Sequence, residues 1–109
     1  MSIERPVFPE QQKLRDAESI IFGAELGNPM EFDLHGMDVL EARHEIEQAL
    51  NQAFMAGEQV LKIVHGRGTG KLREAVHAYL KGNPLVEYYR DAEAIHSVGG
   101  VTYVVVIKK

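Results

Sequence analysis

The 109-residue chain contains no cysteine and no tryptophan, only four prolines, and no apolar run approaching the ~20 residues that a membrane-spanning helix requires. The first absence excludes disulfides and thiolate metal ligands, and it suits a cytoplasmic protein. The last excludes a membrane-embedded helix. The start, MSIERPVFPEQQKLRD, lacks the basic patch and apolar stretch of a secretion signal. What remains is ordinary globular usage, 45% hydrophobic and 26% charged, in a length that fits one domain.

The net charge of -4 argues against a surface that is basic throughout, but its distribution is uneven. Residues 1–59 carry four Lys or Arg against twelve Asp or Glu, whereas residues 60–109 carry eight against four. An anionic ligand is drawn by the local field, and the basic half holds the most unusual stretch of the chain, VHGRGTGKL at 64–72.

That stretch is no nucleotide loop. A Walker A sequence needs four residues between its first glycine and the Gly-Lys pair, then Ser or Thr; here Gly66 and Gly70 enclose three, and Leu72 follows Lys71. The Rossmann spacing fails as well, because glycine would be needed at Lys71 or Arg73. No nucleotide cofactor is expected.

Apolar periodicity sets the organisation. Residues 1–29 read as an N-terminal arm with a short amphipathic helix near 10–22, ended by Gly23, Gly27 and Pro29, that straps onto the domain. The domain proper occupies 30–109. MEFDLH alternates, with Met30, Phe32 and Leu34 on one face and Asp33 and His35 on the other, as in a half-buried strand. Asp38 and Glu41 make a capping pair before a helix carrying Val39, Ala42, Ile46, Ala49, Leu50, Ala53 and Phe54, which closes at Gly57. VLKIV (60–64) is a strand, and a second helix runs from Leu72 to a stop at Gly82-Asn83-Pro84. LVEYYR (85–90) and VTYVVVIK (101–108) are strands. The expected fold is α/β, more narrowly an α+β two-layer sandwich: a mixed four-stranded sheet of order βαβαββ with two main helices.

In parallel βα units the carboxyl ends of the strands share one sheet edge, so DLHG and HGRGTGK should converge there. Backbone N–H groups around Gly66, Gly68, Thr69 and Gly70, the start of the second helix, and the cations Arg67, Lys71 and Arg73 would hold a phosphate. Asp33, His35 and His65 would face it as acid–base groups for phosphoryl transfer. Each feature alone has an ordinary structural use, such as a tight turn or a locally bonded imidazole; their convergence favours a site. His44 and His77 lie off the apolar stripes and are expected in solvent, while His96 is unassigned. One carboxylate with two imidazoles suits at most a loosely held magnesium or manganese ion between Asp33 and a substrate phosphate.

FDLHG and VHGRGTGKLREAV together resemble the two signature stretches of the small MutS-related (Smr) domain family, with the later NPLVEYYRDA and GGVTYVVVI in matching order across about 30–108. The resemblance implies a fold like the C-terminal domain of translation initiation factor three, and nicking endonuclease activity on DNA or RNA, in DNA repair or recombination control or in ribosome quality control. The alternative is a non-catalytic module gripping backbone phosphate. It carries over Asp33 and His35 from the first motif and His65, Gly66, Gly68, Gly70 and Lys71 from the second. The family commonly has a further glycine shortly after the last glycine pair, where this chain has Val101, Thr102 and Tyr103. The expected partner is nucleic acid, with the ribosome as one source of it and no membrane. A monomer is favoured.

Overall fold

The computed structural model describes residues 9–94 and 96–109. Helix α1 (Pro9–Leu26) precedes strand β1 (Met30–Asp33), helix α2 (Val39–Ala56), strand β2 (Val60–Val64), helix α3 (Lys71–Leu80), and strands β3 (Val86–Asp91) and β4 (Val101–Val106). The sheet order is β1-β2-β4-β3. β1 runs parallel to β2, while β4 is antiparallel to both of its neighbours, so the sheet is mixed as expected.

Strand β4 is central and all six of its residues are buried, which divides them between two faces by parity. Val104 and Val106 join Leu61 and Ile63 beneath α2 and α3, against Ile46, Leu50, Val76 and Leu80. Val101, Tyr103 and Val105 face the other way and meet Ala17 and Ile21 of α1. Residues 30–106 thus form the two expected layers, and α1 adds a third on the far side of the sheet.

Helix α2 begins where the Asp38 carboxylate accepts the Glu41 N–H at 2.8 Å, and ends where Gly57 turns left-handed and its N–H meets the carbonyls of Ala53 and Phe54. The expected stop of α1 at Gly23 does not occur. Gly23 stays helical, and the extra turn is held from outside by Arg90, whose guanidinium reaches Glu18 at 2.8 Å and Glu25 at 3.3 Å. β1 is shorter than its alternation suggests, because Asp33 Oδ1 accepts the N–H of His35 at 2.9 Å and bends the chain into a turn.

Candidate phosphate-binding site

The parallel pairing of β1 with β2 places the two loops side by side. The ladder ends with Asp33 opposite Val64, and one further bond, Leu34 N–H to the Val64 carbonyl at 2.7 Å, carries the register into the loops. His35 then lies across the start of the second loop, so close that a Cβ on Gly66 would come within 3.3 Å of His35 Cδ2. Gly66 also sits at φ 78°, where a side chain is strained. Between the loops opens a pocket of about 640 Å³, lined by His35, Met37 and Val39 on one side and by the segment His65–Leu72 on the other.

Two helix N-termini reach this pocket, and they differ. That of α2 is closed by Asp38, whose carboxylate the Glu41 N–H holds below its usual pKa, so this side of the pocket is anionic. That of α3 begins at Gly70, left-handed at φ 86°, which has no side chain to close the helix as Asp38 closes α2. Its amide groups and the exposed Lys71 give the opposite side a positive end. The positive end of the pocket is thus the α3 side.

The remaining expected residues divide. Gly68 and Thr69 line the pocket; Thr69 Oγ1 is 3.4 Å from the Lys71 N–H. Arg67 lines it too, but its guanidinium reaches back to the carbonyls of Val98 and His96, each at 3.0 Å, and braces the loop against the β3–β4 connection. Arg73 is turned away from the pocket and grips Asp91 with two guanidinium nitrogens, one of them 3.0 Å from Oδ1. Asp33 is exposed beside the pocket with one carboxylate oxygen on the His35 N–H. His65 is almost fully buried, and both ring nitrogens are engaged: Nδ1 with the Gly66 carbonyl at 3.0 Å, Nε2 with Thr102 Oγ1 at 2.9 Å. The Gly99-Gly100 turn backs the loop, since the Gly100 carbonyl accepts the N–H groups of both His65 and Gly66.

His77, expected in solvent, is instead half-buried. Its Nε2 stands 3.0 Å from Thr102 Oγ1 and 3.3 Å from Asp91 Oδ1, and its ring packs edge-on against Tyr89. Burial pushes its pKa below the ordinary imidazole value, outweighing the pull of Asp91. Arg73 and His77, four residues apart on α3, share the side that meets Asp91 and Thr102, and that spacing is the signal the sequence offered. His44 is exposed, as its position off the stripe predicts.

The ligand atoms of His65, His77 and Asp91 lie within 4.8 Å of one another, as those of a metal site would. They are, however, spent on one another: the Thr102 hydroxyl occupies the space between the two Nε2 atoms, and Arg73 already neutralises Asp91. The cluster fits a hydrogen-bond network better than a cation.

Comparison with known proteins identifies the family and the fold. The Smr domain profile matches residues 32–106. The chain is 40% identical over 74 residues to the endonuclease MutS2 of Clostridium tetani, an alignment that covers 68% of this chain and 9% of that protein. The crystal structure of the Smr domain of Thermus thermophilus MutS2 superimposes with a TM-score of 0.69 at 40% identity, covering 72% of this chain and 98% of that domain. YdaL, a stand-alone small MutS-related protein from Escherichia coli, superimposes at 0.67 with 26% identity, covering 76% of this chain and 67% of YdaL. Among the described residues no helix is long and apolar enough to cross a membrane.

Proposed function

The chain belongs to the Smr domain family, and from that premise we propose that it is a nuclease that holds a backbone phosphate of DNA or RNA on the α3 side of the pocket and breaks a phosphodiester bond there. The observation that carries this reading is the placement of an exposed imidazole, His35, against the glycine loop and across one pocket from the uncapped start of α3 and Lys71. Lys71 and the positive end of the α3 dipole offset the phosphate charge, and do so more strongly as charge builds in the transition state. His35 removes a proton from the attacking water, oxygen bonds to phosphorus, and the opposite P–O bond breaks, its oxygen taking a proton from solvent. His65, behind the loop with both nitrogens committed, shapes the loop rather than protonating the leaving oxygen. Asp33 orients His35 through the backbone N–H it accepts, and its remaining oxygen is the acid that would hold a magnesium or manganese ion beside the phosphate. A single carboxylate makes such a site weak without substrate.

The second reading, a binding module that cuts nothing, is favoured by one observation: of the expected trio Asp33, His35 and His65, only His35 brings an exposed imidazole to the pocket. RNA within a stalled ribosome would then be as suitable a target as free nucleic acid. The deciding experiment incubates the chain with supercoiled DNA, branched DNA and structured RNA, each with magnesium, manganese or chelator, beside His35→Ala. Cutting that the substitution abolishes supports the nuclease; retained mobility shifts with no cutting on any substrate reduce the function to binding.

A further inference from the structure

Behind the glycine loop a continuous line of hydrogen bonds crosses three elements. It starts at Arg73 and Asp91, passes through His77 Nε2 to Thr102 Oγ1 and on to His65 Nε2, and leaves His65 at Nδ1 for the Gly66 carbonyl. Thr102 is fully buried and stands in register between Ile63 and Asp91. Its even position on β4 turns it toward α3, where His77 waits one turn before Leu80.

Counting protons fixes the line in one direction. A carbonyl oxygen only accepts, so His65 Nδ1 carries the hydrogen in its bond to Gly66. In the neutral ring Nε2 is then an acceptor, and the one hydrogen of the Thr102 hydroxyl points at it. The hydroxyl oxygen is left to accept from His77, whose Nε2–H is shared with Asp91 Oδ1. Asp91, held ionised by Arg73, anchors the acceptor end. Every polar atom in the line has one role, and reversing any bond leaves two lone pairs or two hydrogens facing each other.

The line ends on a peptide group that matters to the pocket. In a trans peptide the carbonyl oxygen and the following N–H point to opposite sides. With the Gly66 oxygen drawn inward to His65, the Arg67 N–H is directed to the side away from the buried ring. Gly66, at φ 78° and without a side chain, restricts this peptide little from its own side, so the bond to His65 is what fixes the plane. The Nε2–H tautomer of His65 would set a lone pair against the Gly66 oxygen and release the peptide from that orientation.

We propose that His77 and Thr102 are positioning residues: by holding His65 in its Nδ1–H tautomer they fix the Gly66–Arg67 peptide in the orientation that phosphate binding by the loop requires. The proposal rests on the phosphate reading of that loop. Neither residue touches the ligand, and both act through His65.

The test uses the whole chain and two substitutions at one site. Thr102→Val keeps the shape and removes the hydroxyl, and Thr102→Ser restores it. Histidine-ring nitrogen NMR of the free chain reports the tautomer of His65, and a labelled RNA hairpin and a labelled DNA hairpin, measured in parallel, report binding, with thermal unfolding as the check that each variant folds. The expected result is a single Nδ1–H tautomer in the unsubstituted chain. In Thr102→Val a mixture is expected, with hairpin affinity lower by on the order of tenfold, and both effects should be reversed in Thr102→Ser. An Nε2–H tautomer in the unsubstituted chain, or a tautomer unmoved by Thr102→Val, overturns the proposal. So does a tautomer that shifts while hairpin affinity stays level and Lys71→Ala still weakens it, an outcome that leaves the phosphate reading intact. If the unsubstituted chain binds neither hairpin nor inorganic phosphate, the phosphate reading fails and the role given to the peptide fails with it, whatever the ring nitrogens show.

Discussion

The imidazole of His35 rests against the backbone of Gly66, near enough that the smallest side chain at position 66 would press on it at 3.3 Å. One residue comes from the first loop and the other from the second, so this contact joins the two halves of the pocket. Gly66→Ala is therefore penalised twice, by the left-handed backbone and by displacement of His35. The expected outcome is a loss of about 1–2 kcal/mol in urea unfolding, together with weaker nucleic-acid binding. Binding unchanged in a folded Gly66→Ala chain would show that neither the loop geometry nor the placement of His35 matters to it.

Lys71 stands exposed at the open N-terminus of α3, where its charge adds to the helix dipole. Lys71→Ala should weaken binding to every sequence alike and reduce the slope of log affinity against log salt by about one, the signature of a single lost phosphate contact. Arg73→Ala should leave that slope unchanged, because its guanidinium is committed to Asp91. Filter binding over a salt series separates the two.

Helix α1 lies outside the matched family region, yet it buries Ile21 completely against the far face of the sheet. Ile21→Ala should cost roughly 2–4 kcal/mol, as for other fully buried aliphatic side chains. If α1 is integral to the fold, unfolding remains one cooperative step with a lower midpoint. A chain whose stability ignores the substitution would mean that α1 is not docked in solution.

The same helix supplies an alkaline signature. Tyr88 donates its hydroxyl to Glu18 at 2.6 Å, and burial together with that bond pushes its phenol up to about 12. A group whose folded pKa lies above its unfolded value contributes stability that is complete below the unfolded value, about 10, and is lost as pH rises toward the folded one. Urea midpoints should fall across this interval, and Tyr88→Phe should flatten the fall.

On the acid side the sign reverses. Burial lowers the pKa of His77, so between its folded and unfolded values the unfolded chain binds the extra proton and stability drops as pH falls. The loss begins near the ordinary imidazole value of 6.5, ahead of the losses from Asp91 and Glu18, which lie below the usual carboxylate range. Midpoints measured from about pH 7 down to about pH 5 should show that first step, and His77→Gln should remove it.

Much of this could be read without coordinates because the signals are local. The Asp38 cap and the stripe Ala42, Ile46, Ala49, Leu50 and Ala53 mark α2 from adjacent turns of one helix. The meeting of DLHG with HGRGTGK follows from parallel βα topology, which leaves few alternatives. The hidden parts depend on long-range parity. Thr102 meets His65 across 37 residues and His77 across 25, through the chance that an even position on β4 faces α3. The last turn of α1 is equally silent in sequence, because Arg90 supplies from β3 what Gly23 takes away.

The single bond from Leu34 N–H to the Val64 carbonyl, with Gly66 seated on His35 just beyond it, means that the pocket has no existence in any fragment. Residues 33–38 and 64–72 acquire their relation only when β1 has closed on β2, and β2 is itself held by β4. A ligand of this pocket therefore recognises the native state alone, and its binding adds to the resistance to unfolding by about 2.7 kcal/mol at a hundred times its dissociation constant. Melting the chain against a panel of nucleic acids should therefore rank them by affinity, whether or not any bond is broken.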